Sequence, residues 1–310
     1  MKAIQVNSLT GPADVTLGDL AEPEGAVIID VEYAGVTFPD VLLTRGLYQV
    51  RPPLPFIPGS EVSGVVRTDG HGFSAGDRVA AFPGLGGFAQ TVAADPRMVF
   101  PLPDSVSLES AAALPMNYLT VHFALCRRGQ LQAGETVLVH GAAGGVGTAA
   151  IQLAKAVGAH VIAVVSETSK VATAEAAGAD EVVLADGFRE AVGQRADIVV
   201  DPVGGDRFTD SLRCLRPEGR LLVIGFTAGD IPTVKVNRLL LNNVSVVGVG
   251  WGAYWLAHPE YLQEQWAQLL PLLDQLPPVI DSVVDLADAA EALAALDERR
   301  VKGKVLLRTR

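Results

Sequence analysis

The chain has 310 residues, of which 49% are hydrophobic and 19% charged, and its formal net charge is −11. That length admits two domains of ordinary size, and so apolar a composition can fill their cores. The acidic balance argues against a surface that tracks nucleic-acid phosphates, and no apolar run is long enough to span a bilayer without a charge, glycine or proline interrupting it.

The opening residues, MKAIQVNSLTG, lack the apolar core of a secretion signal. The two cysteines, Cys126 and Cys214, make neither a disulfide framework nor a metal-ligand spacing, so a reducing cytoplasmic setting is expected. From the start to about residue 120, short extended runs alternate with turn residues: KAIQV, AVIIDVEYAGV, EVSGVV, DRVAAF and FAQTVAA. This rhythm predicts a small β-rich domain or barrel. RPPLPFIPG (Arg51 to Gly59) carries four prolines in nine residues and predicts a stiff loop.

From about Thr136 the rhythm changes to strand, helix, strand. TVLVH, HVIAVV, EVVL, DIVVD, RLLVI and VSVVGV are nearly continuous apolar runs, as strands covered on both faces require. Helical stretches such as AAIQLAKAVG and TSKVATAEAAG separate them and end in glycine. Six such strands predict an α/β fold with a doubly wound parallel sheet. PEYLQEQWAQLLPLLDQL then reads as one amphipathic helix, and Asn237 before it as a helix cap or anchor. The tail, from PVIDSVV to KVLLRTR, reads as strand, helix, strand and is expected to rejoin the first domain.

The segment VLVHGAAGGVGTAAIQLAKAVG sets a glycine loop between a buried strand and a helix, the context in which such a loop acquires meaning. Gly144 and Gly145 are expected to let the backbone approach a pyrophosphate, together with Val146. Gly147 is expected to let the helix pack on the strand, and the helix N-terminus to attract the anion. Ala142 replaces the first glycine of the usual pattern. The second strand ends in VVSETSK. Ser166 and Lys170 at the adenosine end suit a 2′-phosphate and point to NADP(H), although Glu167, one residue after Ser166, is the kind of acid that would favour NAD. Gly225, Phe226 and Thr227 follow the fifth strand, and Val249 and Gly250 the sixth; strand C-termini are where such a sheet presents ligands. DPVGG (Asp201 to Gly205) reads as a structural turn.

Taken with AGVTFPDVLLTRGLY, PFIPGSEVSGVV, GDRVAAF, GADEVV, DPVGG, GRLLVIG and the terminal KGKVLL, the chain resembles, nearly end to end, the quinone oxidoreductase (zeta-crystallin-like) branch of the medium-chain dehydrogenase/reductase superfamily. The resemblance implies a GroES-like domain (1–121 and 262–310) and an inserted Rossmann domain (122–261), with the cofactor in a cleft. It also implies a homodimer or homotetramer, built by pairing of the last Rossmann strand. Zinc-dependent relatives keep a Cys and a His–Glu pair where this chain has GVTFPD and Ser60-Glu61, and the five histidines are scattered, so no metal is expected. The implied activity is NADPH-dependent hydride transfer to quinones or conjugated carbonyl acceptors. Enoyl-thioester or enone reduction and non-catalytic NADPH binding are the alternatives. Tyr48 is the candidate proton donor, or else an aromatic that only shapes the pocket. The resemblance also places Thr37, where many relatives carry Asn, and Thr120 beside the nicotinamide. Asp40 is as well suited to anchoring backbone as to touching ligand, and Leu42 stands where many quinone reductases carry a second Tyr.

Overall fold

The structure, a computed structural model, describes residues 1–310. The chain divides into two compact units: Met1–Met116 with Pro259–Ala267 and Ile280–Arg310, and Asn117–His258 with Gln268–Val279.

The first unit holds β1 (Lys2–Val6), β2 (Val15–Asp19), β3 (Val27–Val36), β4 (Glu61–Val66), β5 (Arg78–Ala81), β6 (Thr91–Ala94) and β7 (Val99–Pro101). The second holds β8 (Thr136–His140), β9 (His160–Val165), β10 (Glu181–Leu184), β11 (Ala196–Asp201), β12 (Leu215–Val223) and β13 (Ser245–Gly248). The tail returns to the first unit as β14 (Ile280–Asp285), a helix (Ala289–Asp297) and β15 (Lys304–Arg308).

In the first unit, β14, β15, β3, β4, β5 and β7 lie side by side, and β6 also pairs with β3. The long strand β3 is the organiser. Its alternate residues Val27, Ile29 and Val31 are buried in a core shared with Val62, Val79, Phe88 and Val92, and with Leu286 and Leu293 of the tail. β15 pairs antiparallel with β3, so the C-terminal tail closes this core. The proline-rich segment forms no helix or strand, and Phe56 within it bridges to Val6.

In the second unit the six strands run in the order β10-β9-β8-β11-β12-β13, every pair parallel. This is the doubly wound Rossmann sheet, and the order reverses between β8 and β11. β8 and β9 are buried on both faces, which explains why their sequences show no alternation. The glycine-loop helix spans Gly145–Val157, and Gly158 ends it in the left-handed conformation at φ 92°.

Two local expectations are corrected. PEYLQEQWAQLLPLLDQL is not one helix: an α-helix runs over Tyr261–Leu269 and tighter 3-10 turns over Leu270–Gln275, because Pro271 cannot donate the i to i−4 hydrogen bond. Asn237 is not a cap. It lies inside the helix Asn237–Asn242, whose N-terminal flanking residue is Val236.

Candidate functional site

Because all six strands of the second unit are parallel, their C-terminal ends share one edge. The glycine loop leaves that edge after β8. Gly141 turns it at φ 59°, and Ala142 donates its N–H to Val164 of β9 at 3.2 Å. Gly144 flanks the helix start, and Thr148 donates back to its carbonyl at 2.8 Å. The backbone N–H groups of Gly145, Val146 and Gly147 have no acceptor, so three orphan donors and the positive end of a 13-residue helix face the same way.

The glycines divide the labour differently from the sequence reading. A Cβ on Gly147 would sit 2.2 Å from the Gly141 carbonyl oxygen, so Gly147 does allow close packing of helix on loop. A Cβ on Gly144 would meet nothing nearer than 3.4 Å, which leaves its surroundings open. Gly145 is bare for another reason: its Cα faces the side chain of Asn117, whose Nδ2 lies 2.5 Å from where a Cβ would stand.

At the end of β9, Ser166 and Lys170 come together. The Lys170 ammonium donates to Ser166 Oγ at 3.3 Å and pairs with Glu167 at 3.3 Å. Glu167 thus contributes to this cluster as well. On the same edge, the Asp201 carboxylate accepts from the N–H groups of Val203 and Gly204, both at 2.9 Å, which builds the DPVGG turn. Thr227 donates from its backbone to Pro202 at 3.1 Å, and the Phe226 ring lies over Gly204. Val249 is tied to Val223, and Gly250 opens the helix Trp251–Ala257. Gly225 to Thr227 and Val249-Gly250 therefore stand beside one another at the ends of β12 and β13. Thr120 lies on the helix Pro115–His122 and is half-buried.

The first unit carries Thr37 and Tyr48. Thr37 flanks the helix Phe38–Thr44, and Asp40 accepts from its N–H at 2.8 Å and from its hydroxyl at 2.5 Å. The other oxygen of Asp40 accepts from Gly59 N–H at 3.1 Å, so Asp40 anchors two backbone segments. Complete burial drives its carboxyl up to about 6, against the opposing hydrogen bonds of Thr37 and Gly59 and the charge of Lys304. Ser60 lies 3.4 Å from the Thr37 hydroxyl. Glu61 is fully buried: one carboxylate oxygen accepts from Met116 N–H at 2.7 Å, and the other pairs with the buried ammonium of Lys304. Opposite Glu61, β3 must carry a glycine, because a Cβ on Gly35 would stand 2.5 Å from the carboxylate. Tyr48 packs partly buried against Val6, Leu43 and Phe56. Burial, and then the Asp40 charge, raise its phenol above the usual range, so it stays protonated at neutral pH.

Sequence reasoning missed Asn117 and the Glu61–Lys304 pair. Lys304 stands in KGKVLL, and nothing in a single chain shows that a terminal lysine pairs with an acid in a strand of the first unit. For Asn117 the sequence offers no signal beyond its place three residues before Thr120.

A mainly antiparallel unit closed by the chain's own tail, and a parallel sheet whose first crossover helix opens with a glycine loop, define a medium-chain dehydrogenase/reductase. Residues 23–104 match the family model described as alcohol dehydrogenase GroES-like domain, and residues 145–275 the one described as zinc-binding dehydrogenase. Quinone oxidoreductase-like protein 2 of Bos taurus is 39% identical over 294 residues, covering 91% of this chain and 84% of that protein. Among solved structures, a probable oxidoreductase from Mycobacterium abscessus superimposes with a TM-score of 0.91 at 44% identity, over 100% of this chain and 99% of the other. The quinone oxidoreductase of Thermus thermophilus, also solved with NADPH, gives a TM-score of 0.87 at 38% identity over the whole of both chains. The chain belongs to the quinone oxidoreductase family of this superfamily.

Proposed function

We propose that the protein is an NADPH-dependent reductase that transfers a hydride to quinones or related conjugated carbonyl acceptors without zinc. The observation that carries this reading is the set of orphan N–H donors on Gly145, Val146 and Gly147, with Ser166 and Lys170 on the same sheet edge. The helix N-terminus suits a diphosphate and the ammonium of Lys170 a 2′-phosphate. When bound, NADPH supplies the hydride from its nicotinamide. The chain's own residues bind and orient: the three amides hold the diphosphate, Lys170 and Ser166 the adenosine end, and the loops Gly225–Thr227 and Val249-Gly250 flank the nucleotide. Tyr48 is proposed as the proton donor to the reduced acceptor, with a phenolic O–H that makes no hydrogen bond within the chain. Thr37 and Thr120 are proposed on the nicotinamide side, although the Thr37 hydroxyl is already engaged by Asp40.

The zinc-free part of the reading is supported by the donor chemistry. Where zinc-dependent relatives carry Cys and His, this chain has the hydroxyls of Thr37 and Ser60, which bind zinc poorly, and Glu61 is committed to Lys304 and Met116. No group of three or more His, Cys, Asp or Glu side chains is arranged so that it could hold a metal ion. Assembly is proposed through β13, which is bonded on one side only and lies next in sequence to the exposed Val236, Leu240 and Leu241; a second copy would continue the sheet. No helix is long and apolar enough to cross a membrane. A cytoplasmic setting is proposed from the free thiols of Cys126 and Cys214, both pushed up to about 11 by burial and so kept unreactive.

The test is steady-state NADPH oxidation by the pure protein with a naphthoquinone and with crotonyl-CoA, before and after exhaustive chelation. The proposal expects faster turnover of the quinone, unchanged by chelation. Faster turnover of crotonyl-CoA would make it an enoyl-thioester reductase, and loss of turnover on chelation would defeat the zinc-free reading.

A further inference from the structure

Asn117 is 7% exposed, yet its carboxamide makes no hydrogen bond to any group of the chain. The amide reaches solvent through the small part of the residue that is exposed, so its donors are open to a ligand, and their lack of a partner within the chain calls for an explanation. Its location supplies one. The amide lies against the Cα of Gly145, with Nδ2, Cγ and Oδ1 all within 3.3 Å of the position a Cβ would take there. Gly145 is the first residue of the glycine-loop helix, and its N–H begins the run of three orphan donors.

The placement is fixed from behind. Tyr118, the next residue, is fully buried, and its hydroxyl donates to Gln152 Oε1. Gln152 in turn donates from Nε2 to the Pro277 carbonyl at 2.6 Å. Gln152 follows Gly145 by seven residues, two helical turns, so both lie on one face of the glycine-loop helix. The Tyr118–Gln152 bond therefore locks the helix Pro115–His122 along that face and brings Asn117 to the N-terminus.

We propose that the Asn117 carboxamide is a cofactor-binding group that donates an N–H to a diphosphate oxygen of the bound dinucleotide, as a side-chain extension of the amide row Gly145 to Gly147. The inference rests on the reading that this helix start holds the diphosphate. It also changes the reason for Gly145: the glycine makes room for the amide that completes the donor set, and the dinucleotide meets side chain as well as backbone there.

The test is calorimetric titration of NADPH into wild type, N117A and N117D, with thermal unfolding of each nucleotide-free protein. N117A removes one hydrogen bond to a charged group and should weaken NADPH binding by about tenfold or more. N117D keeps the shape but sets a carboxylate against the helix start. There it satisfies the orphan donors and competes with the diphosphate. It should therefore hold or raise the melting temperature of the nucleotide-free protein while weakening NADPH more than N117A does, a split that a space-filling role would not produce. A folded N117A that binds NADPH within twofold of wild type overturns the assignment. If N117A does not fold, unchanged affinity in N117D overturns it. Absence of NADPH binding by wild type itself would instead bring down the underlying nucleotide-site reading.

Discussion

Replacing Lys304 by Met should destabilise the first unit severely. The Lys304 side chain is 4% exposed and that of Glu61 0%, so the ion pair is sealed from solvent. Removing one partner of such a pair strands the other charge in the interior, which costs roughly 3–5 kcal/mol. For a cooperative unit of this size each kcal/mol is worth about 2–4 °C, so K304M should melt about 10 °C lower. The double variant E61Q/K304M removes the stranded charge and keeps an acceptor for Met116 N–H. It should recover about half of the lost stability, with the remaining deficit coming from the unpaired half of the new amide. Thermal and urea unfolding of wild type, E61Q, K304M and the double variant closes the cycle. A K304M protein within about 1 kcal/mol of wild type, or a double variant no better than the single, would refute the buried-pair argument.

Three further outcomes are expected. His140 is fully buried, with Nε2 beside Ser211 at 2.8 Å and its ring edge-on to Phe188, and burial holds its pKa at about 3 against an ordinary 6.5. The folded value lies below the unfolded one, so its stabilising effect is complete above pH 6.5 and is lost on acidification, amounting to about 2 kcal/mol by about pH 5. The raised pKa of Asp40 acts with the opposite sign between 3.8 and about 6, so the quantity to measure by urea unfolding is the difference between wild type and H140Q, which should narrow as pH falls. K170M should raise the Kd for NADPH by about tenfold and change that for NADH little, because only the phosphorylated ribose needs the ammonium; equal losses for both would remove Lys170 from the 2′-phosphate site. Y48F should lower kcat for acceptor reduction by about a hundredfold at unchanged NADPH affinity, and an unchanged kcat would make Tyr48 a wall of the pocket only.

Much of the second unit was legible in the chain because its physics is local. Parallel strands buried on both faces read as apolar runs, Gly158 ends the glycine-loop helix where a left-handed residue is needed, and a loop between strand and helix has few alternatives. What stayed hidden depends on contacts distant in sequence. Glu61 meets Lys304 only because β15 returns to pair with β3, and Asn117 meets Gly145 only because Tyr118 pins two helices together. Asp40 could be read two ways from sequence, and its three hydrogen bonds to Thr37 and Gly59 decide for an anchoring role. The break at Pro271 was readable in principle, but the apolar periodicity around it masked the missing N–H.

The central claim, a dinucleotide whose diphosphate docks on the amides of Gly145 to Gly147, is tested most directly by backbone amide NMR of the second unit's residues in the intact protein during NADPH titration. The account predicts saturable shifts at one NADPH per chain, largest for those three amides. Saturable binding that leaves all three unmoved, or no binding of either pyridine nucleotide, would contradict it.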